Sequence, residues 1–214
     1  MTVKIKICGL KKHENIECCI KNKVDMIGFV FHQNSPRNIS IKNASNLVKL
    51  FKNQIEIVGL VVNPSDYLLD QIINIVGIRK IQFHGNETPE KISNFKERYD
   101  ISSIKAIPVS NSITSSEIEE FDKVSDYILF DAPPMGSTNR PGGNGEAFDW
   151  DLLKELNIIK PWILSGGLNI DNITEAISIT KANFVDVSSG VEDSLGIKNN
   201  DLITKFVYNA RNAD

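Results

Sequence analysis

Histidine and cysteine are scarce in this sequence, three of each among 214 residues. The cysteines are Cys8, Cys18 and Cys19; an odd number with two adjacent is no disulfide framework. No C-x-x-C pair stands with suitably spaced histidines, so no metal site is expected. Positive charge is not in excess: 24 Lys and Arg against 27 Asp and Glu leave a net charge of -3. Binding to a phosphate backbone needs clustered cations, so no nucleic-acid partner is expected. Long apolar runs are absent as well. The longest, Ile27–Phe31 and Ile57–Val62, fall far short of the ~20 residues that span a bilayer, and no membrane association is expected. The opening Met1-Thr-Val-Lys-Ile-Lys6 lacks the apolar region of a secretory signal. These absences lead us to expect a reduced, cytoplasmic protein.

What is present is an average globular composition, 41% hydrophobic and 24% charged, which excludes a disordered chain. Short β-branched runs recur at Val3–Cys8, Asp25–Phe31, Ile55–Val62, Arg79–Phe83, Ser103–Val109, Asp126–Asp131, Pro161–Ser165 and Asn183–Ser188. Each reads as a strand. Between and after them, helical spacing fits Glu14–Asn22, Asn43–Phe51, Asp66–Ile75, Pro89–Tyr99, Ser115–Phe121, Asp149–Leu156, Asn172–Thr180 and Asp201–Ala210. Pro89 and Asp149 suit helix starts. Strictly alternating strands and helices imply a parallel sheet. Eight such units in a chain of this length indicate an α/β fold, a single-domain (β/α)8 TIM barrel with parallel strands over residues 1–214. The alternative, a doubly wound sheet, would normally show a glycine-rich phosphate turn after the first strand; here that strand ends Cys8-Gly9-Leu10.

In such a barrel, chemistry sits at the C-terminal strand ends. Alternation places Lys4, Lys6 and Cys8 inward on the first strand, with Cys8 at the top. A lone cysteine is also an ordinary small core residue. Asp131 ends the sixth strand on the inward register, although a strand-terminal Asp can equally cap a loop. Asp186 lies inward on the eighth strand, and a buried carboxylate needs a partner; Lys6 on the neighbouring strand is the candidate. The seventh strand ends Ser165-Gly166-Gly167 and the eighth Ser188-Ser189-Gly190. Loops in these two places often hold a phosphate on backbone N–H groups, with help from a short helix N-terminus. Arg37 offers a fork suited to a carboxylate. Arg37, His84 and Arg140 could each also be merely solvated loop residues.

Taken in order, several segments resemble the phosphoribosylanthranilate isomerase family. They are Lys6-Ile-Cys-Gly9, Gly28-Phe-Val-Phe31 with Ser35-Pro-Arg37, Gln82-Phe-His-Gly85, Phe130-Asp-Ala132, Gly142-Gly-Asn-Gly145 with Phe148-Asp-Trp150, Leu164-Ser-Gly-Gly-Leu168 and Val185-Asp-Val-Ser-Ser-Gly-Val-Glu192. The resemblance covers nearly the whole chain. It implies a TIM-barrel enzyme of tryptophan biosynthesis without metal or cofactor. Such an enzyme converts N-(5-phosphoribosyl)anthranilate to 1-(2-carboxyphenylamino)-1-deoxyribulose 5-phosphate by an Amadori rearrangement. It also implies Cys8 as general base, Asp131 as general acid and Arg37 as the holder of the anthranilate carboxylate. Gly166, Gly167, Ser189 and Gly190 would bind the phosphate, with His84 and Asp186 among the substrate-binding residues. The expected partner is a small phosphorylated substrate, and the chain is expected to be a monomer or a homodimer. The sequence departs from the family pattern at Asn144, which replaces a threonine, at Phe83, which replaces a leucine, and at Pro108, where a ligand-facing side chain would be expected.

Two other phosphosugar barrels are disfavoured. The related histidine-pathway isomerase carries an Asp where Cys8 stands, and an epimerase needs a metal-binding histidine cluster that three histidines do not supply. A noncatalytic binding barrel would have no need of Cys8 and Asp131 together. The expected pair carries an energetic problem. Reference pKa values are about 3.9 for Asp and about 8.5 for Cys, so a thiolate beside a carboxylic acid costs about 6 kcal/mol in water. Lys6 beside Cys8 would favour the thiolate, with Asp186 positioning Lys6.

Overall fold

Each strand sorts its side chains by a period of two. On β1 (Lys4–Cys8), Ile5 and Ile7 pack outward with the helices, and Lys6 and Cys8 point into the barrel. The other strands repeat the pattern: β2 (Met26–Phe31), β3 (Glu56–Val61), β4 (Lys80–Phe83), β5 (Ser102–Pro108), β6 (Tyr127–Asp131), β7 (Trp162–Leu164) and β8 (Phe184–Val187). They pair in parallel, each with the next, and β8 closes on β1, so the sheet is a closed eight-stranded barrel. This computed structural model describes residues 2–110, 113–133, 147–156 and 158–213.

The barrel is filled in layers. Met26, Val58, Ile104, Ala106, Leu129, Ile163 and Phe184 form an apolar plug. Lys6, Gln82 and Asp186 are buried polar residues of the strands. Cys8 packs with Val30 and Leu60 in a separate small cluster. Apolar filling with polar groups gathered toward the strand ends is what confines chemistry to one face.

The outer layer comprises α1 (His13–Lys21), α2 (Ile41–Phe51), α3 (Asp66–Asp70), α4 (Pro89–Tyr99), α5 (Ser115–Val124), α6 (Ile173–Thr180) and α7 (Asn200–Arg211). Ser40, Ser65, Thr88 and Thr114 each accept a backbone N–H of the first turn they precede, a contribution of about 1 kcal/mol apiece. Among the described residues, no helix is long and apolar enough to cross a membrane.

Three expectations need correction. The helix expected over Asp66–Ile75 is α-helical only to Asp70, then widens into a π-type turn over Gln71–Val76. The widening buries Ile72, Ile73 and Val76 together before Gly77 ends it in a left-handed conformation. The helix expected over Asp149–Leu156 is a 3-10 segment, Trp150–Glu155, capped by Asp149. Six residues leave little room for an i to i−4 ladder, and the tighter i to i−3 turn takes its place. Finally, no short helix follows β8. The chain folds into a small antiparallel hairpin of β9 (Glu192–Ser194) and β10 (Ile197–Lys198).

Candidate active site

A cavity of about 730 Å³, partly open to solvent, occupies the C-terminal mouth of the barrel. Cys8, Arg37, Gln82, His84, Asp131, Asp186, Gly166, Gly167 and Ser189 all line it. Gly190, expected beside the other phosphate residues, does not line this cavity; it bridges to Asn169 and ties the loops after β7 and β8 together. Arg140 and the Gly142–Gly145 segment lie outside the described residues.

Cys8 owes its place to its neighbour across the sheet. It pairs with Gly28 on β2, where a Cβ would lie 2.7 Å from Cys8 Sγ. Only glycine leaves room for the thiol there. Behind it, Lys6 Nζ donates to Asp186 Oδ1 at 2.9 Å, and both side chains are buried. The Lys6–Asp186 pair therefore forms as the inward alternation implied. Ser165 Oγ donates weakly to the other Asp186 oxygen at 3.5 Å. Burial works to lower Lys6, but Asp186 and Cys8 outweigh it and hold the ammonium above the ordinary lysine range. Burial pushes the Cys8 thiol up, and Asp186 adds to that, while Lys6, Lys198 and Arg37 pull it back only in part. The site thus keeps Cys8 as a thiol. Lys6 acts on it in the expected direction without prevailing.

Asp131 enters from β6 and is buried. Its Oδ2 lies 3.0 Å from His84 Nε2, and His84 Nδ1 lies 2.9 Å from Gln82 Nε2. With the Gln82 amide donating to Nδ1, the imidazole proton sits on Nε2 and is given to Asp131, an assignment that follows from the bonding network. His84 therefore spends both ring nitrogens on protein partners. Among the described residues, Gln82 Oε1 is buried without a partner, and such an orphan is uncommon in a strand interior.

Arg37 is buried, not a solvated loop residue. Its Nε and Nη2 donate to Glu192 Oε1 and Oε2 at 2.7 and 2.9 Å. The fork that the sequence suggested for a ligand is closed on one edge by a protein carboxylate, so a ligand can meet only the Nη1 side. Glu192 also accepts from Lys198 Nζ at 2.8 Å and from the Gly196 N–H at 3.0 Å. Burial alone would raise Glu192; the Arg37 hydrogen bond first, then Lys198 and Gly196, bring it down to about 2. Sequence reading assigned no role to Glu192 or Lys198. The one available signal was Gly196 in a two-residue turn between short polar segments.

The loop after β7 is a tight turn held by its own hydrogen bonds. Gly166 and Gly167 both adopt positive φ, 86° and 66°. Asn172 Nδ2 donates to Gly167 O at 3.0 Å, and the Asn169 N–H donates to Asn172 Oδ1 at 2.8 Å, which fixes the turn. Among the described residues, no group of three His, Cys, Asp or Glu is placed to hold a metal ion.

Residues 5–209 match the family described as N-(5'phosphoribosyl)anthranilate (PRA) isomerase. The chain is 42% identical over 213 residues to the N-(5'-phosphoribosyl)anthranilate isomerase of Rhodopseudomonas palustris strain TIE-1, covering 100% of both. It is similar to a phosphoribosyl anthranilate isomerase solved in complex with reduced 1-(o-carboxyphenylamino)-1-deoxyribulose 5-phosphate, with a TM-score of 0.78 and 31% identity over 97% of this chain and 98% of the other. It is also similar to monomers generated from the dimeric enzyme of Thermotoga maritima, with a TM-score of 0.79 and 31% identity over the same shares.

Proposed function

The chain belongs to the N-(5'-phosphoribosyl)anthranilate isomerase family, and from that premise we propose that Cys8 and Asp131 are the base and acid of its reaction. The protein is an enzyme of tryptophan biosynthesis that converts N-(5'-phosphoribosyl)anthranilate to 1-(2-carboxyphenylamino)-1-deoxyribulose 5-phosphate. The observation that carries the assignment is that Cys8 on β1 and Asp131 on β6 face one cavity from separate sides of the barrel. A sugar lying between them would meet an acid at its ring oxygen and a base at C2.

Asp131, protonated, gives its proton to the ring oxygen as the C1–O bond breaks and the nitrogen lone pair forms the C1=N bond. The Cys8 thiolate then takes the C2 proton. The C2–H electron pair becomes the C1=C2 bond of an enolamine, and the iminium nitrogen is neutralised. Proton return to C1 and loss of the C2 hydroxyl proton give the ketone, and the two catalytic groups recover their starting states. No external oxidant or reductant is needed.

The relative solved with the reduced product analogue supports binding of a phosphorylated ligand in this cavity. The phosphate lies on the Gly166–Gly167 turn and Ser189, the anthranilate carboxylate at the Nη1 side of Arg37. Glu192 holds Arg37 in place for this contact. Asp186 acts through Lys6 and His84 through Asp131. The whole chain works as one domain in the cytoplasm, as a monomer or, like the Thermotoga maritima relative, a homodimer; light scattering on the purified protein distinguishes the two.

The test is turnover of substrate made in situ by the wild type, Cys8→Ser and Asp131→Asn. The expected result is an active wild type with a loss of at least ~10²-fold in each variant, the usual effect of removing a general acid or base. Activity that survives both substitutions would remove the assignment while leaving the family's reaction in place.

A further inference from the structure

Resting on the reading of Cys8 as base, we propose that Lys198 is a positioning residue of this enzyme, the counter-charge that the Cys8 thiolate balances when it forms. Lys198 lies on β10 of the hairpin after β8 and is buried. Among the described residues its Nζ has three contacts: Ser188 O at 2.8 Å, Ser188 Oγ at 3.2 Å and Glu192 Oε1 at 2.8 Å. Ser188 Oγ spends its own proton on Cys8 O at 3.0 Å, so it can only accept from Lys198. Three acceptors need three N–H protons, which is the ammonium form; a neutral amine has two.

Among the described residues, the charge count around the thiol then leaves Lys198 in surplus. Lys6 is matched by Asp186 in a buried pair. Arg37 is matched by Glu192 through two hydrogen bonds. Lys198 shares Glu192 with Arg37, so these three hold one net positive charge. Across the mouth, Asp131 faces His84. A Cys8 thiolate would neutralise the β1, β8 and hairpin side of the cavity, whereas a thiol leaves it positive. In a buried region that difference is weakly screened. The Glu192–Lys198–Ser188 chain also ends on the Cys8 backbone, so the hairpin fixes the thiol's position as well as its field. Lys6, fully buried and already paired, supplies attraction that Asp186 opposes.

The experiment is the pH dependence of iodoacetamide alkylation at Cys8, read on the Cys8 peptide by mass spectrometry so that Cys18 and Cys19 do not contribute. It is run with wild type, Lys198→Gln, Lys198→Arg and Glu192→Gln, each checked for folding by circular dichroism. Lys198→Gln is expected to move the midpoint upward, slowing alkylation at neutral pH roughly tenfold for a shift of one pH unit. Lys198→Arg keeps the charge and is expected to leave the midpoint in place. Glu192→Gln removes an anion and is expected to shift the midpoint the other way. A loosened structure has no reason to give shifts of opposite sign, so the pair separates charge from damage. An unmoved midpoint in folded Lys198→Gln, or an equal shift in Lys198→Arg, overturns the proposal. If Lys198→Gln does not fold, a midpoint that rises or stays in Glu192→Gln overturns it. The readout needs no turnover: a Cys8→Ser enzyme that stays active refutes the base assignment, while unmoved alkylation midpoints beside an inactive Cys8→Ser refute only the counter-charge.

Discussion

At Cys8, burial and charge pull in opposite directions. Burial leads and keeps the thiol protonated, while three cations pull the other way. On the thiol side, therefore, the protein adds to the cost of a thiolate beside a carboxylic acid, about 6 kcal/mol from reference values, and the cations limit that increase. Lys6 has a structural burden besides its field. It is fully buried against Asp186, and removal of one partner leaves the other as an uncompensated buried charge. Lys6→Met is expected to cost about 3–5 kcal/mol of stability, measured as a fall in the urea midpoint at unchanged slope. A loss below ~1 kcal/mol would mean that water reaches Asp186. This pair was legible in the sequence because both residues fall at inward positions of strands that a closed barrel makes neighbours. The Arg37–Glu192 pair was not: Arg37 lies in a turn after β2, outside any strand register, and Glu192 reaches the site only through a hairpin that no periodicity announced.

At the scale of elements, the strands were readable because each carries its own alternating β-branched pattern. All eight expected strands form, with no end shifted by more than one residue. The hairpin of β9 and β10 was not readable, since segments of three and two residues are too short to show a period. The helix expected over Asp149–Leu156 was misjudged for a related reason: its apolar spacing suits a turn of either pitch. The link between elements that matters most to the site is the close fit of β1 on β2. A Cβ at Gly28 would sit 2.7 Å from Cys8 Sγ and 3.2 Å from Cys8 Cα. Gly28→Ala must push the thiol or part the strands, and overpacking of this kind costs about 1–3 kcal/mol. The expected outcome is a kcat reduced at least ~10-fold with a smaller change in KM, as when a base is moved by about an ångström. Steady-state kinetics with a thermal melt checks it; unchanged kcat would place the thiol outside the proton transfer.

For the molecule as a whole, the buried charges set the response to acid. Glu192 lies far below its ordinary value of 4.5, at about 2 in the fold, because the Arg37 and Lys198 bonds overcome burial. A carboxylate held low stabilises the fold above its unfolded value, and that stabilisation is lost as pH falls through the folded value. The span corresponds to about 3 kcal/mol, lost between about pH 4.5 and pH 2. Urea midpoints measured across that window are expected to fall more steeply in wild type than in Glu192→Gln, which has no such proton to take up. Parallel curves would show that other carboxylates dominate acid unfolding. The barrel, its closure and the location of the chemistry at one face follow from strand periodicity and count. The division of labour across the mouth does not, because it depends on contacts such as His84 with Asp131, 47 residues apart.

The most direct test of that division is the isotope effect on turnover of substrate deuterated at ribosyl C2, measured in wild type, Cys8→Ser and Asp131→Asn. With Cys8 as the base, Cys8→Ser makes C–H cleavage the slow step, and the residual rate should show a larger isotope effect than wild type. With Asp131 as the acid, Asp131→Asn makes ring opening slow, and the effect should collapse toward unity. The reverse pattern, or the same effect in both variants, would contradict an acid and a base placed on separate sides of the sugar.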